Sequence, residues 1–366
     1  MDLGLTGRVA IVAAASKGLG RAAAEELSRE GAHLAICART ASTLAETAAH
    51  IQKTTGHQVL HQALDVTDSE AVAAFVAAVE ARFGRIDICV TNCGGPPSKS
   101  FKSTKPEDWR SAFDQLLMST IFFARETLPR MQRNKWGRLI TITSSAVKQP
   151  VDGLLLSNSI RAAVVGLART LANEYAADGI TVNNVCPGYT RTARLDGLAS
   201  SISARTGCKT EDVFAGWERE IPAGRLGTPQ EFAAVVAFLA SERASYMNGA
   251  SIAVDGGLIP AWATQGPFFS VTRTGDELSV VTELSVVPLG VQSERGWRVL
   301  RVHGPFVLSE IGILASLATP LAEAKISLFA VSTFDTDYLL VASETLSGVI
   351  AALEGAGHTV YRSKAE

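Results

Sequence analysis

The first 257 residues alternate short apolar runs with helix-spaced segments, and that alternation admits few folds. Strand-type runs occupy 8–14 (RVAIVAA), His33–Ala38, 58–64, 86–91, 138–143, 180–185 and 250–254. Helical spacing follows at 21–30, 41–54, 69–83, 106–133, 155–177 and 229–240. Several of the strands are almost wholly apolar, as strands are when helices cover both faces of a parallel sheet. The expected fold class is α/β, a doubly wound parallel sheet (Rossmann fold) whose ligand lies at the C-terminal ends of the strands. The stretch from Thr190 to Trp217 shows no readable period.

After Asp255-Gly256-Gly257 the pattern changes. Residues 258–267 carry two prolines and read as a linker. Beyond them come short strands at Glu277–Val281, Arg298–Val302, Ile326–Val331 and Tyr338–Val341, with helices near 309–323 and 344–354. This is the pattern of a ferredoxin-like α+β module. Three segments result: a nucleotide-binding domain at 1–257, a linker at 258–267 and a regulatory domain at 268–366.

Composition fits that division. With 47% hydrophobic and 19% charged residues over 366 positions, packed cores are expected rather than disorder. A net charge of −2 gives no electrostatic case for nucleic acid or an acidic membrane surface. The five cysteines are odd in number and lack a C-x-x-C pair, so reduced thiols in a cytoplasmic protein are expected. The N-terminus lacks the pattern of a signal peptide, and the apolar runs are too short to span a bilayer. None of the six histidines makes a metal-type pair; His57 and His61 are four apart but fall in an extended segment.

Between the first strand and first helix lies Ala14-Ala15-Ser16-Lys17-Gly18-Leu19-Gly20. Two glycines let backbone approach a pyrophosphate, and the helix start supplies N–H groups and positive dipole. The second strand ends Cys37-Ala38-Arg39-Thr40, without an acid to bond a ribose 2′-hydroxyl. Arg39 and Lys17 offer cations suited to a 2′-phosphate, so NADP is expected in preference to NAD.

These motifs, with others in order, make the first 257 residues resemble the short-chain dehydrogenase/reductase family, closest in pattern to 3-oxoacyl-acyl-carrier-protein reductases. Ser16 to Gly20 resembles the family's glycine-rich loop, with Ala14 where its first glycine usually stands. Asp65-Val66 resembles the pair that contacts adenine, and Thr91-Asn92-Cys93-Gly94 the Asn-Asn-Ala-Gly motif with its first asparagine replaced. Asn183-Asn184-Val185-Cys186-Pro187-Gly188 resembles the turn beside the nicotinamide, and Thr192 the hydroxyl that holds its carboxamide. Ile221–Arg225 and Val254–Gly257 resemble the closing motifs. The resemblance implies a carbonyl or hydroxyl small-molecule substrate and a homo-oligomer, dimer or tetramer, built on helices 106–133 and 155–177.

The family works with an Asn-Ser-Tyr-Lys tetrad, and here the sequence departs. Ser144 falls on the serine, Ser157 on the tyrosine, Arg161 on the lysine and Leu116 on the asparagine. No shift of register restores the motif: the five tyrosines are Tyr175, Tyr189, Tyr246, Tyr338 and Tyr361, and no lysine lies between Lys148 and Lys209. A serine hydroxyl is a far weaker acid than a phenol, and arginine holds charge without shuttling protons. Arg161 also counts as a cofactor ligand by its place. Three readings follow. The protein reduces carbonyls with an acid from Tyr189, Lys148 or water; it catalyses another reaction; or it binds nucleotide as a sensor or scaffold.

Residues 268–366 resemble ACT domains of the kind found in CASTOR-type arginine sensors. The resemblance rests on Arg273–Ser279, Gly296-Trp297-Arg298, Gly312-Ile313-Leu314 and Ser332–Tyr338. It implies an amino-acid effector near Gly312, Ile313, Thr333, Phe334, Asp335 and Asp337. Helix-start N–H groups suit an α-carboxylate, and an aspartate suits an ammonium or guanidinium. Asp and Thr are also ordinary turn residues.

Overall fold

The computed structural model describes residues 2–151, 153–259, 268–273, 278–287, 293–304, 311–333 and 336–361. The chain forms two compact units, Met1–Ile259 and Pro260–Glu366.

In the first unit β1 (Val9–Ala13), β2 (His33–Ala38), β3 (Val59–Ala63), β4 (Ile88–Thr91), β5 (Gly137–Ile142), β6 (Ile180–Pro187) and β7 (Ser251–Val254) form one sheet. Every pairing is parallel, in the order β3-β2-β1-β4-β5-β6-β7. The intervening helices are α1 (Gly18–Arg29), α2 (Ala41–Thr55), α3 (Ser69–Phe83), α4 (Pro106–Phe113), α5 (Ser119–Arg133), α6 (Leu155–Tyr175), α7 (Ala193–Thr206), α8 (Thr210–Glu220) and α9 (Pro229–Ala240).

The continuous apolarity of the strands is what two covered faces require. Ala10, Val12, Leu34, Ile36, Val90 and Ile140 pack with Ala23, Leu27, Leu44, Phe232 and Val236 of α1, α2 and α9. Their neighbours Val9, Ile11, Ala35, Cys89 and Leu139 pack on the other face with Phe75, Val79, Phe123, Leu128 and Ala168 of α3, α5 and α6. Each of the valine, leucine, isoleucine and phenylalanine side chains taken from water contributes roughly 1.5–3 kcal/mol. Because β2 and β4 flank β1, the connections leave in opposite directions there and open a crevice at the strands' C-terminal ends. The opposite edge is clamped. Buried Asp87 accepts the Val9 N–H at 2.9 Å and two bonds from Arg85, at 2.8 and 2.6 Å.

Two differences from the sequence reading bear on the site. Segment 106–133 is not one regular helix: a π turn at Asp114–Met118 separates α4 from α5. The Ser119 and Thr120 hydroxyls donate to the Gln115 and Leu116 carbonyls at 2.6 and 3.2 Å, so the widened turn is satisfied from within. Segment 190–217, unreadable by period, holds α7 and most of α8, which pack their own cluster of Leu195, Ala199, Val213, Trp217 and Ile221. Their short apolar stripes face each other rather than the sheet, which is why no long period showed.

In the second unit β10 (Trp297–Arg301), α10 (Ile313–Glu323), β11 (Phe329–Ser332), β12 (Asp337–Ala342) and α11 (Leu346–Gly355) follow in turn. The antiparallel order β10-β12-β11 is that of a ferredoxin-like module, with Leu317, Leu321, Leu339, Val341, Val349 and Leu353 as its core. A separate hairpin pairs β8 (Ser270–Arg273), which the sequence did not suggest, with β9 (Leu278–Val281). Among the described residues no strand follows α11. Residues 260–267 of the linker, Glu277, and residues 309–310 of the expected helix lie outside the described residues.

The turn from β1 into α1 places Ala14 at φ +49, in the left-handed region. A Cβ there costs about 1–2 kcal/mol, partly offset by the greater freedom of glycine in the unfolded chain. Ala14→Gly is therefore expected to stabilise the first unit by about 0.5–1 kcal/mol, and Ala14→Val to destabilise it. Urea unfolding of the three proteins checks the order; a less stable glycine variant refutes it.

Candidate active site

The site begins where β1 gives way to α1. The helix has no acidic residue in its first turn, and the N-cap residue Lys17 makes no side-chain cap, so the first N–H groups are left for an anion. A Cβ on Gly20 would sit 2.5 Å from the Ala14 carbonyl oxygen and 2.8 Å from Asn92 Nδ2. One on Gly18, itself at φ +60, would stand 3.8 Å from Thr192 Cγ2. The turn, the end of β4 and the segment after β6 thus converge. The Ser16 carbonyl accepts from Thr47 Oγ1 at 3.0 Å, and Leu19 packs on the core.

The parallel register carries the other predicted residues to the same edge. Arg39 follows β2 and Asp65-Val66 follows β3, with Ala38 paired to Ala63. Lys17 and Arg39 are exposed and form no ion pair among the described residues. Asp65 Oδ1 accepts from the Thr67 backbone and hydroxyl at 3.0 and 2.9 Å, while Val66 is buried. Gly94 lies under Gln115, whose Nε2 is 3.1 Å from where its Cβ would be, and Gly188 lies against Asp255 beyond Pro187.

Ser157 and Arg161 are one turn apart on α6 and meet. Arg161 Nε donates to Ser157 Oγ at 3.2 Å, and Nη1 donates to the Ile142 carbonyl at 3.0 Å. Arg161 is only 9% exposed, yet it has no carboxylate partner among the described residues. Ser144, two residues beyond Ile142, uses its Oγ to accept the Ala146 N–H at 3.1 Å and so caps a short 3-10 turn. Leu116 is buried in the middle of the π turn.

Of the remaining donors named from sequence, Tyr189 is poorly suited to proton transfer. It stacks on Trp217 at 4.9 Å within the cluster of α7 and α8. Burial first, and the Glu220 charge second, push its phenol up to about 12. Lys148 is exposed. The structure therefore joins a buried cation, Arg161, to the Ser157 hydroxyl, with the Ser144 hydroxyl tied to its own 3-10 turn two residues beyond Ile142.

Two residues near the site, Gln115 and Arg194, escaped sequence reading, and a third, Asn184, was read only as part of a motif. Gln115 lies in the π turn, with its Nε2 beside Gly94. Arg194 donates to the Gly95 and Pro96 carbonyls at 3.1 and 3.4 Å, from a segment whose period gave no signal. Asn184 bridges Thr141 to Ser251, holding β5, β6 and β7 together from within.

In the second unit Gly312, at φ +89, precedes α10. Thr333 Oγ1 donates to the Thr336 carbonyl at 2.7 Å, so it serves the β11–β12 turn, and Asp337 opens β12 opposite Ser332. Phe334 and Asp335 lie outside the described residues. Among the described residues there is no group of three or more potential metal ligands and no helix long and apolar enough to cross a membrane.

Comparison with known proteins meets this geometry. The family model described as enoyl-(acyl carrier protein) reductase matches residues 13–259, and an ACT domain model matches 292–355. The 3-oxoacyl-acyl-carrier-protein reductase of Escherichia coli is 33% identical over 252 residues, spanning 69% of this chain and 97% of its own. The chain belongs to the short-chain dehydrogenase/reductase family. It is an oxidoreductase by membership, and it carries an ACT domain beyond the family's extent. The corresponding Haemophilus influenzae reductase is 34% identical over 254 residues, covering 69% of this chain and 99% of its own. Among solved structures, L-sorbose reductase from Gluconobacter frateurii, complexed with NADPH and L-sorbose, superposes with a TM-score of 0.68 at 33% identity. That match covers 71% of this chain and 99% of the reductase. An actinorhodin polyketide ketoreductase variant with NADPH gives 0.66 at 30% identity, over 69% and 97% of the two chains.

Tyr189, held near 12, stays a phenol from pH 6 to 9. Tyr189→Phe is accordingly expected to leave any pH–rate profile in that range unchanged in shape, within about twofold in rate. A limb of the profile that moves in the variant would make Tyr189 the acid.

Proposed function

We propose that the protein is an NADP-dependent oxidoreductase of a carbonyl or hydroxyl substrate, with Ser144, Ser157 and Arg161 in place of a tyrosine–lysine relay. The observation that carries the reading is the uncapped start of α1 facing Thr192 across the crevice, with Gly18 and Gly20 clearing the approach. Ser16 to Gly20 would hold the diphosphate, Lys17 and Arg39 the 2′-phosphate, and Asp65-Val66 the adenine side. Asn92, Gly94, Pro187, Gly188 and Thr192 would line the nicotinamide end, with Arg161 on the ribose.

When bound, the cofactor supplies or accepts a hydride. Arg161, already desolvated and tied to Ile142, offers its remaining N–H groups to oxygen without reorganising, which is where preorganised charge is most effective. Ser157 and Ser144 supply hydroxyls on the same side, and water delivers the proton. The relatives' names place oxoacyl groups and sugars among the substrates of similar proteins; a 3-oxoacyl or similar carbonyl compound is the first class to try. The assembly we propose is a cytoplasmic homo-oligomer, dimer or tetramer, with domains at 1–257 and 268–366 joined by a linker.

The test is titration of NADPH and NADP into the full-length protein, followed by turnover on a panel of carbonyls and alcohols with and without amino acids. Binding with turnover supports the reading. Tight binding with no turnover anywhere favours the alternative, a nucleotide-binding sensor. Failure to bind either cofactor refutes both. Loss of a charged hydrogen-bonded contact costs about 1.5–3 kcal/mol, so Arg39→Asp is expected to weaken NADPH tenfold or more and NADH far less. Equal losses would remove Arg39 from the phosphate.

The ACT domain supports a second element of the proposal, regulation by an amino acid at Gly312-Ile313 and the Thr333–Asp337 turn. Any amino acid at 100 times its Kd should stabilise the unit that binds it by about 2.7 kcal/mol. A thermal-shift screen of the twenty amino acids should then show at least one clear rise; a flat screen refutes the regulation.

A further inference from the structure

We infer that the substrate carries an anionic group, a carboxylate or its equivalent, received between Arg161 and Arg194. This rests on the oxidoreductase reading and adds the substrate's charge to it. The two arginines approach the crevice from different elements. Arg161 rises from α6 against the carbonyl that ends β5, and Arg194 comes from the first turn of α7 against the loop that follows β4. Strands β4 and β5 are paired at Thr91 and Thr141, so the chain that leaves each starts from adjacent points on one edge.

Both guanidiniums are anchored by neutral oxygens alone. Arg161 is bonded to a carbonyl and a hydroxyl, Arg194 to two carbonyls, and neither has a carboxylate within ion-pair distance among the described residues. Arg194 counts as exposed over its whole length, but its guanidinium is packed against Gly95 so closely that a Cβ there would overlap it. Arg194 also feels the Arg161 charge. Burial first, and then the Arg161 charge, lower the pKa of Arg194, while burial raises the Cys93 thiol against the pull of both arginines. Two like charges near each other, one of them deeply buried and neither neutralised, are costly unless something negative completes the set. Anchoring leaves both with unused N–H groups, since a guanidinium has about five.

The cofactor's own phosphates already have candidates: Lys17 in the turn after β1 and Arg39 after β2 for the 2′-phosphate, and the uncapped start of α1 for the diphosphate. Arg161 keeps N–H groups beyond those given to the ribose and the reacting oxygen, and Arg194 has no cofactor group assigned to it, so a substrate anion is what this side of the crevice can still take. A hydride transfer here balances simply: the cofactor's hydride and one proton from water add across the C=O bond, and the substrate's anionic group takes no part in the bond changes. Arg194 is thus a specificity-determining residue, touching a part of the substrate that does not react.

The test uses matched probes on the full-length protein saturated with NADP. 2-Oxopentanoate and levulinate are each compared with their methyl esters by calorimetric titration, in wild type, Arg194→Gln and Arg194→Lys. At least one acid should bind tenfold or more tightly than its ester in wild type. Arg194→Gln should reduce that ratio to threefold or less, and Arg194→Lys should keep part of it. Sulfate titrated into the protein without cofactor should bind more weakly in Arg194→Gln as well, an arm that stands even if NADP does not bind. Equal binding of acids and esters, or a preference that survives Arg194→Gln, overturns the inference. So does a loss of NADPH affinity in Arg194→Gln as large as the loss for the acid, which would make Arg194 a cofactor contact. If Arg194 only clamped α7 to the loop, acid and ester would weaken together, and the ratio would not move.

Discussion

The uncapped first turn of α1, set against the C-terminal end of β1, is the constraint on which the first unit's chemistry depends. A helix start leaves several N–H groups without partners, and here neither an acid nor a capping side chain fills them. The backbone reaches that arrangement by passing through a left-handed residue at Ala14 and another at Gly18. The parallel sheet then brings the ends of β2, β3, β4 and β6 to the same edge. Removing the approach at Gly20 would drive a side chain into the Ala14 carbonyl and into Asn92 at once.

Most of the first unit was legible in the sequence because two covered faces impose a simple rule. Every residue of β1, β4 and β5 is buried, and such runs separated by helical spacing leave little choice of fold. The order of motifs then located the crevice. What the sequence hid was local. The π turn depends on hydroxyls at 119 and 120 that look like ordinary helix residues, and α7 and α8 pack on each other with stripes too short to register. Arg194, in that stretch, therefore drew no notice. The content of the tetrad positions was readable as residue types, but the Arg161 bonds to Ser157 and Ile142 are products of packing.

The second unit was less legible for a related reason. Its strands are short and its sheet is covered on one face, so Trp297, Val299 and Phe329 stay partly exposed and blur the alternation. The strand–helix order survived that blurring. Of the hairpin, β9 was read at Glu277–Val281 but its partner β8 was not, since four-residue strands leave almost no periodic signal.

The π turn separates two things that an active site usually ties together. Its displaced carbonyls are bonded by the Ser119 and Thr120 hydroxyls, so its shape asks nothing of the side chain at 116. Leu116 occupies a place whose geometry was made without it. Shape and reactivity at this corner can thus vary independently. The framework sets where a reacting oxygen would lie, while the identity of a handful of side chains decides what happens to it.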